Sequence, residues 1–356
     1  MIREAMVSPA VAPIFRVMTP EAPPPAPKRP DDFPFAEWQL GIEDASTRLT
    51  GRVRHCAGNA FLHLRKAWRL HGVDDEMSAF HAITAEEEAA TALIQALKAR
   101  RYAGADRLRP WNHVHKSAFW PLVEAVNRVL VASGMPAPKV ALSRFGKPRV
   151  SIRIDVAAMA GSPEPLWGEP DHPLNFLIRA GAASAPLVHL FEEQFAELAS
   201  ESGTGSLKAR IEREANARNE LLYASDQGCP RASFDDDMLM NRANRVCVLV
   251  MLAIIVMQTP EHQLFVTQCL ESLLRMLASV EGIDFDYSSA AVPVERQLLT
   301  ICRAPGEPAR ISLRRPVAVT GRWGDGGYVP KQPLRPTSAS VGFDDRPPAD
   351  AGQEND

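Results

Sequence analysis

Two stretches carry ionisable side chains where a plain core helix would not. The first is A-E-E-E-A, with Glu86 and Glu87 on or beside an apolar helical stripe. The second is R-P-W-N-H-V-H-K, which brings Arg109, Asn112, His113, His115 and Lys116 together just before apolar residues resume. Carboxylates and imidazoles are the groups that exchange protons or anchor cations near neutral pH. A carboxylate on a core-facing stripe is costly unless it is paired or protonated. A basic side chain, a backbone donor or a ligand must therefore face Glu86 or Glu87. At about 100° per residue, His115 falls on the apolar face of its helix and His113 about 200° away, so the two do not ligate one metal from that helix.

The elements around these residues read as helices. Leu49, Val53, Cys56, Ala60, Leu64, Ala67 and Trp68 predict a helix from about Ala45 to Leu70, ended by Gly72. Asp74 and Asp75 open the next as cap and acidic first turn. Its stripe is Met77, Phe80, Ile83, Ala90, Leu93, Ile94 and Leu97. Pro110 suits the first turn of a third helix, faced by Trp111, Ala118, Phe119, Leu122, Val126 and Val129. Leu174 to Leu198 reads as a broken helix, Ser206 caps another that carries Arg218, and Asp235 to Asp237 start a third. The run Val246 to Met257 is too short to span a bilayer and reads as a buried core helix. Gln263 to Val280 makes the last amphipathic helix.

Between these helices the period changes. Val140, Leu142, Val150, Ile152, Ile154 and Val156 alternate, which predicts a β-hairpin over 139–157. Arg144, Lys147, Arg149 and Arg153 lie at its turn and on its other face. They form either a solvated strand face or a basic surface for an anionic partner. Gly161 to Pro173 reads as a linker, and 310–323 has some strand character. The expected organisation is mainly α. A disordered Pro-rich tail covers 1–40, with Phe33, Phe35 and Trp38 near its end docking onto the body. An N-terminal helical half covers 41–133, a C-terminal half 172–285, and a second disordered tail 324–356.

Composition bounds the function. The 356 residues are 46% hydrophobic and 23% charged, as in globular proteins, and the net charge of −3 gives no global pull toward nucleic acid. The five cysteines are scattered with no C-x-x-C pair, so neither a zinc site nor a disulfide framework is indicated, and a cytoplasmic setting fits. No nucleotide-binding loop, nucleophile elbow or H-E-x-x-H appears, and Asp235-Asp236-Asp237 reads as a helix cap.

Glu86-Glu87 on one helix, followed by His113-Val114-His115-Lys116 opening the next, resembles the HEPN superfamily, in particular its abortive-infection V branch. Arg218-Asn219-Glu220-Leu221-Leu222-Tyr223 partly resembles that superfamily's R-polar-x-x-x-H pattern, with Tyr223 in place of the histidine. Arg107 and Arg109 precede Pro110, outside the helix where the family's arginine sits. The resemblance covers about 45–130 and, more weakly, 206–280. It implies a helical bundle, frequent dimerisation and, in active members, RNA cleavage without a metal or organic cofactor. There Arg steadies negative charge at phosphate, and His shuttles protons or positions the 2′-hydroxyl. On that reading Arg109, Asn112, His113 and His115 are the catalytic candidates. Glu87 would hold one cation, and Arg218 is a second basic candidate.

Two functions follow from the residues. The first in weight is a non-catalytic helical interaction or regulatory protein, in which Glu86, Glu87 and Arg218 form a buried polar network fixing helix register. The alternative is a metal-independent endoribonuclease acting in defence. RNA or protein is the expected partner, with a homodimer implied by the resemblance and no membrane. Arg, His and an open groove together would favour the enzyme, and an enclosed network the interaction protein.

Overall fold

The computed structural model describes residues 33–132, 139–143, 149–155, 167–168, 172–176, 178, 190–201, 203, 206–223, 234–283 and five short strands between 292 and 330. The chain is mainly α. Its helices are α1 (Glu37–Ser46), α2 (Gly51–Leu70), α3 (Asp75–Ala99), α4 (His113–Ser117), α5 (Phe119–Ala132), α6 (Glu192–Glu201), α7 (Leu207–Leu222), α8 (Asp236–Gln258) and α9 (Leu264–Glu281).

α3 is the central element. It packs against α2 on one side and α8 on another, and also meets α4 and α7. Its many alanines (Ala79, Ala82, Ala85, Ala89, Ala90, Ala92 and Ala96) are all buried, so neighbouring backbones approach it closely. α8 is the other deep element, burying Val246, Cys247, Leu249, Val250, Ala253, Ile254, Ile255 and Val256. By length and composition alone α8 could cross a membrane. Here its apolar run lies within the bundle core, as expected for Val246 to Met257. One hydrophobic cluster extends from Phe33 to Val280, so the two helical halves share a core.

The caps match the sequence. Asp74, Ser206 and Asp235 accept hydrogen bonds from the backbone N–H of Met77, Ala209 and Met238. The helix expected from Ala45 to Leu70 is instead broken between α1 and α2. Ser46 Oγ and Thr47 Oγ1 donate to the carbonyls of Glu43 and Asp44, and Gly51 at φ +56 redirects the chain. Phe33 is buried, stacked on Phe35 at 4.3 Å and tilted on Trp68 at 5.4 Å, and α1 begins at Glu37, inside the stretch 1–40. Residues 1–32 lie outside the described residues.

The hairpin is present. β1 (Lys139–Ser143) pairs antiparallel with β2 (Arg149–Asp155), with Val140 opposite Ile152. A two-residue β3 (Trp167–Gly168) adds to β2, inside the stretch expected to be linker. Of the helix expected from Leu174 to Leu198, α6 is present and 172–176 is not helical, while 177 and 179–189 lie outside the described residues. Leu174 instead serves the start of α9: its N–H donates to Gln263 Oε1 and its carbonyl accepts from Phe265 N–H. Past α9 come β4 (Val292–Glu295), β5 (Leu299–Cys302), β6 (Arg310–Leu313), β7 (Ala318–Gly324) and β8 (Gly327–Pro330). β8 pairs with β7 within the region expected to be disordered, whose residues 331–356 lie outside the described ones.

Candidate functional site

Glu86 and Glu87 are both buried, at 8% and 7% exposure, and both are paired. Neighbours on a helix point about 100° apart, so the two carboxylates serve different partners.

Glu86 faces α8. Arg242 and Arg245, three residues apart on one face, both reach it; Arg242 donates to Oε2 and Arg245 Nη1 lies 3.5 Å from Oε1. Burial alone would raise the Glu86 carboxyl, and the two guanidiniums more than offset this, holding it below the usual carboxylate range. Beyond this pair the charges continue. Arg245 lies over the Trp120 ring at 4.5 Å, Trp120 Nε1–H donates to Glu124 Oε1 at 2.6 Å, and Arg210 Nη2 donates to Glu124 Oε2 at 2.6 Å. Arg210 Nε is 3.7 Å from Glu214. Burial pushes the Glu214 carboxyl up against the pull of Arg245, and Glu86 adds to the rise.

Glu87 faces α4 and α7. Its Oε1 accepts from His113 Nδ1–H at 2.5 Å, and its Oε2 meets Lys116 Nζ at 2.9 Å and Arg218 Nη1 at 3.4 Å. Arg218 Nη2–H points at His113 Nε2 across 3.3 Å. A carboxylate only accepts and a guanidinium only donates, so these contacts set His113 as the neutral imidazole with its proton on Nδ1. The Nε2 lone pair faces Arg218. Arg218 also lies 5.9 Å from the centre of the Phe80 ring, and its Nε–H is buried without an acceptor.

Exposure divides the cluster. The side chains of Glu87, Lys116, Glu86, Arg242 and Arg245 are 8–15% exposed, whereas His113 and Arg218 reach 31% and 27%. The inner part is an enclosed ionic core, and His113 with Arg218 forms its open edge. Five cations (Lys116, Arg210, Arg218, Arg242, Arg245) face four carboxylates (Glu86, Glu87, Glu124, Glu214), one of them pushed toward its neutral form.

The expected catalytic set does not assemble. His113 joins Glu87 and Arg218, but His115 turns away and is sealed at 3% exposure. Its Nδ1 accepts from the Arg109 backbone N–H at 3.0 Å, so its Nε2–H donates to Glu281 Oε1 at 2.9 Å. With both nitrogens occupied and no solvent access, His115 holds structure together. Asn112 caps α4 through Val114 N–H at 2.9 Å and reaches Glu281 at 3.5 Å. The Arg109 side chain is exposed. Tyr223 stands 68% exposed at the end of α7.

Arg149 and Arg153 are half-buried, with Ser151 between them fully buried, so this strand face is not simply solvated. Arg144 and Lys147 lie outside the described residues. Among the described residues no cluster of three or more His, Cys, Asp or Glu side chains has metal-site geometry.

Arg242 and Arg245 escaped the sequence reading. The signal was there: N-R-A-N-R puts two guanidiniums three residues apart immediately before the most apolar run in the chain. Neither a family model, nor a curated protein, nor a solved structure matches this chain.

Proposed function

We propose that the chain cleaves RNA without a metal, at the open edge formed by His113 and Arg218. One observation carries this reading: His113 is held through Nδ1 by a buried carboxylate while its Nε2 lone pair stands 3.3 Å from a partly open guanidinium. A carboxylate-oriented imidazole is a general base, and an adjacent guanidinium is suited to phosphate oxygens. The Nη1 and Nη2 groups of Arg218, at this open edge, supply donors for an anion.

In this reading the phosphate displaces Arg218 from His113 Nε2 and takes its donors. His113 Nε2 removes the proton of the 2′-hydroxyl as that oxygen bonds to phosphorus. The P–O5′ bond breaks, the leaving oxygen takes a proton from solvent, and a 2′,3′-cyclic phosphate and a 5′-hydroxyl result. Glu87 stabilises the imidazolium formed on the way. The residue pattern that resembles HEPN ribonucleases supports the same chemistry, with His113 alone as the acid–base histidine. Product analysis after incubation with single-stranded RNA in chelator tests it: cyclic phosphate ends are expected, and 5′-phosphate ends or a magnesium requirement would reject it.

A second reading has its own support. Lys116 and Arg218 already neutralise Glu87, and the inner ionic core is enclosed, as a network that fixes helix register in an interaction protein would be. That reading expects no RNA cleavage at all.

A further inference from the structure

Trp111 is 75% exposed, the most open of the large apolar side chains among the described residues. Large aromatic side chains are usually mostly buried, so the setting of this one is informative. It occupies the third position of a β-turn, Arg109-Pro110-Trp111-Asn112, closed by the Asn112 N–H to Arg109 carbonyl bond at 3.0 Å. Proline at the second position fixes that turn's backbone. Three further bonds pin it: Arg109 N–H to His115 Nδ1, Asn112 Oδ1 to Val114 N–H, and His115 Nε2–H to Glu281. Arg109, Asn112 and His115 thus build one rigid support whose tip is an indole. The support opens into α4 at His113, two residues on, which places the two Cα atoms within about 7.6 Å.

We propose that Trp111 is a stacking platform for an unpaired base of the RNA strand whose phosphodiester lies at His113. The proposal rests on the reading of the His113 edge as an RNA site. A pre-ordered indole binds a base face without sequence preference and gives up little entropy on binding. The exposed Arg109 guanidinium at the other end of the same turn supplies a contact for backbone phosphate. Glu281, the carboxylate beneath the turn, is engaged by His115 and Asn112.

The test uses the full chain carrying His113→Gln, which blocks turnover, and a fluorescein-labelled single-stranded oligoribonucleotide read by anisotropy. Trp111→Ala in that background should weaken binding about tenfold or more, and Trp111→Phe should restore most of it. An RNA duplex of the same sequence should bind more weakly, because its bases are already stacked. The melting temperature of Trp111→Ala should match its parent, since the side chain is exposed. Unchanged affinity in Trp111→Ala overturns the proposal, as does an effect on self-association in sedimentation with none on RNA. The outcomes separate from those for catalysis. RNA that binds through Trp111 but is not cut by the native chain rejects only the enzyme, and cutting that is indifferent to Trp111 rejects only the platform.

Discussion

Arg218 and Glu87 lie 131 residues apart in the sequence and meet with Nη1 3.4 Å from Oε2. The contact joins α7 to α3 and so ties the C-terminal helical half to the N-terminal one. Glu87 also holds Lys116 and His113, which makes it the hub of this side of the cluster. Glu87→Ala strands a nearly buried ammonium and should destabilise the fold by about 3–5 kcal/mol. Arg218 is 27% exposed, so screening limits Arg218→Ala to about 1 kcal/mol. In denaturant titrations the double variant should cost less than the sum of the two. Strict additivity would mean that the pair does not interact.

Glu271 gives a pH dependence with a defined sign. It is 1% exposed on α9, its Oε2 is buried without a partner, and burial pushes its carboxyl up to about 7 against the pull of Arg275. The folded state therefore keeps a proton that the unfolded chain releases from its ordinary pKa of 4.5 upward. Stability from this group falls as pH rises from about 4.5 to about 7 and is flat above. Glu271→Gln should stabilise the protein at pH 8 by on the order of 1–3 kcal/mol, with little effect at pH 4.5. Equal effects at both pH values in thermal melts would refute the assignment.

His63 and His81 give the opposite slope. Their Nδ1 atoms are 2.8 Å apart across α2 and α3. Burial, then the charges of His81 and Lys66, lower His63 to about 4, and burial with Lys66 lowers His81. The unfolded chain binds protons here first, so stability is lost as pH falls from about 6.5 toward 4. Replacing both with glutamine should flatten denaturation midpoints across that window. A slope unchanged from the native chain would place the acid sensitivity elsewhere.

Local pattern and tertiary choice were not equally legible in the sequence. The stripe that placed Glu86 and Glu87 in the core, the caps at Asp74, Ser206 and Asp235, and the 139–157 hairpin all follow from short-range periodicity and turn chemistry. So does the divergence of His113 from His115, since helix geometry sets it. Which histidine meets the carboxylate does not follow, because that depends on where α3 and α9 pass α4. Arg242 and Arg245 were missed for the same reason: their value lies in facing Glu86 from another helix. The helix expected from Leu174 does not begin there because the Leu174 backbone is engaged at the start of α9, a demand no local window contains.

The most direct test of the central claim compares two histidines two residues apart. Initial rates of single-stranded RNA cleavage in chelator should be measured for the native chain, His113→Gln and His115→Gln, with thermal melts confirming that each is folded. The account predicts a loss of about 10²-fold or more for His113→Gln, as for removal of a general base. For His115→Gln it predicts a lower melting temperature and a much smaller loss of rate. Equal losses in the two folded variants, or cleavage that survives His113→Gln, would contradict it.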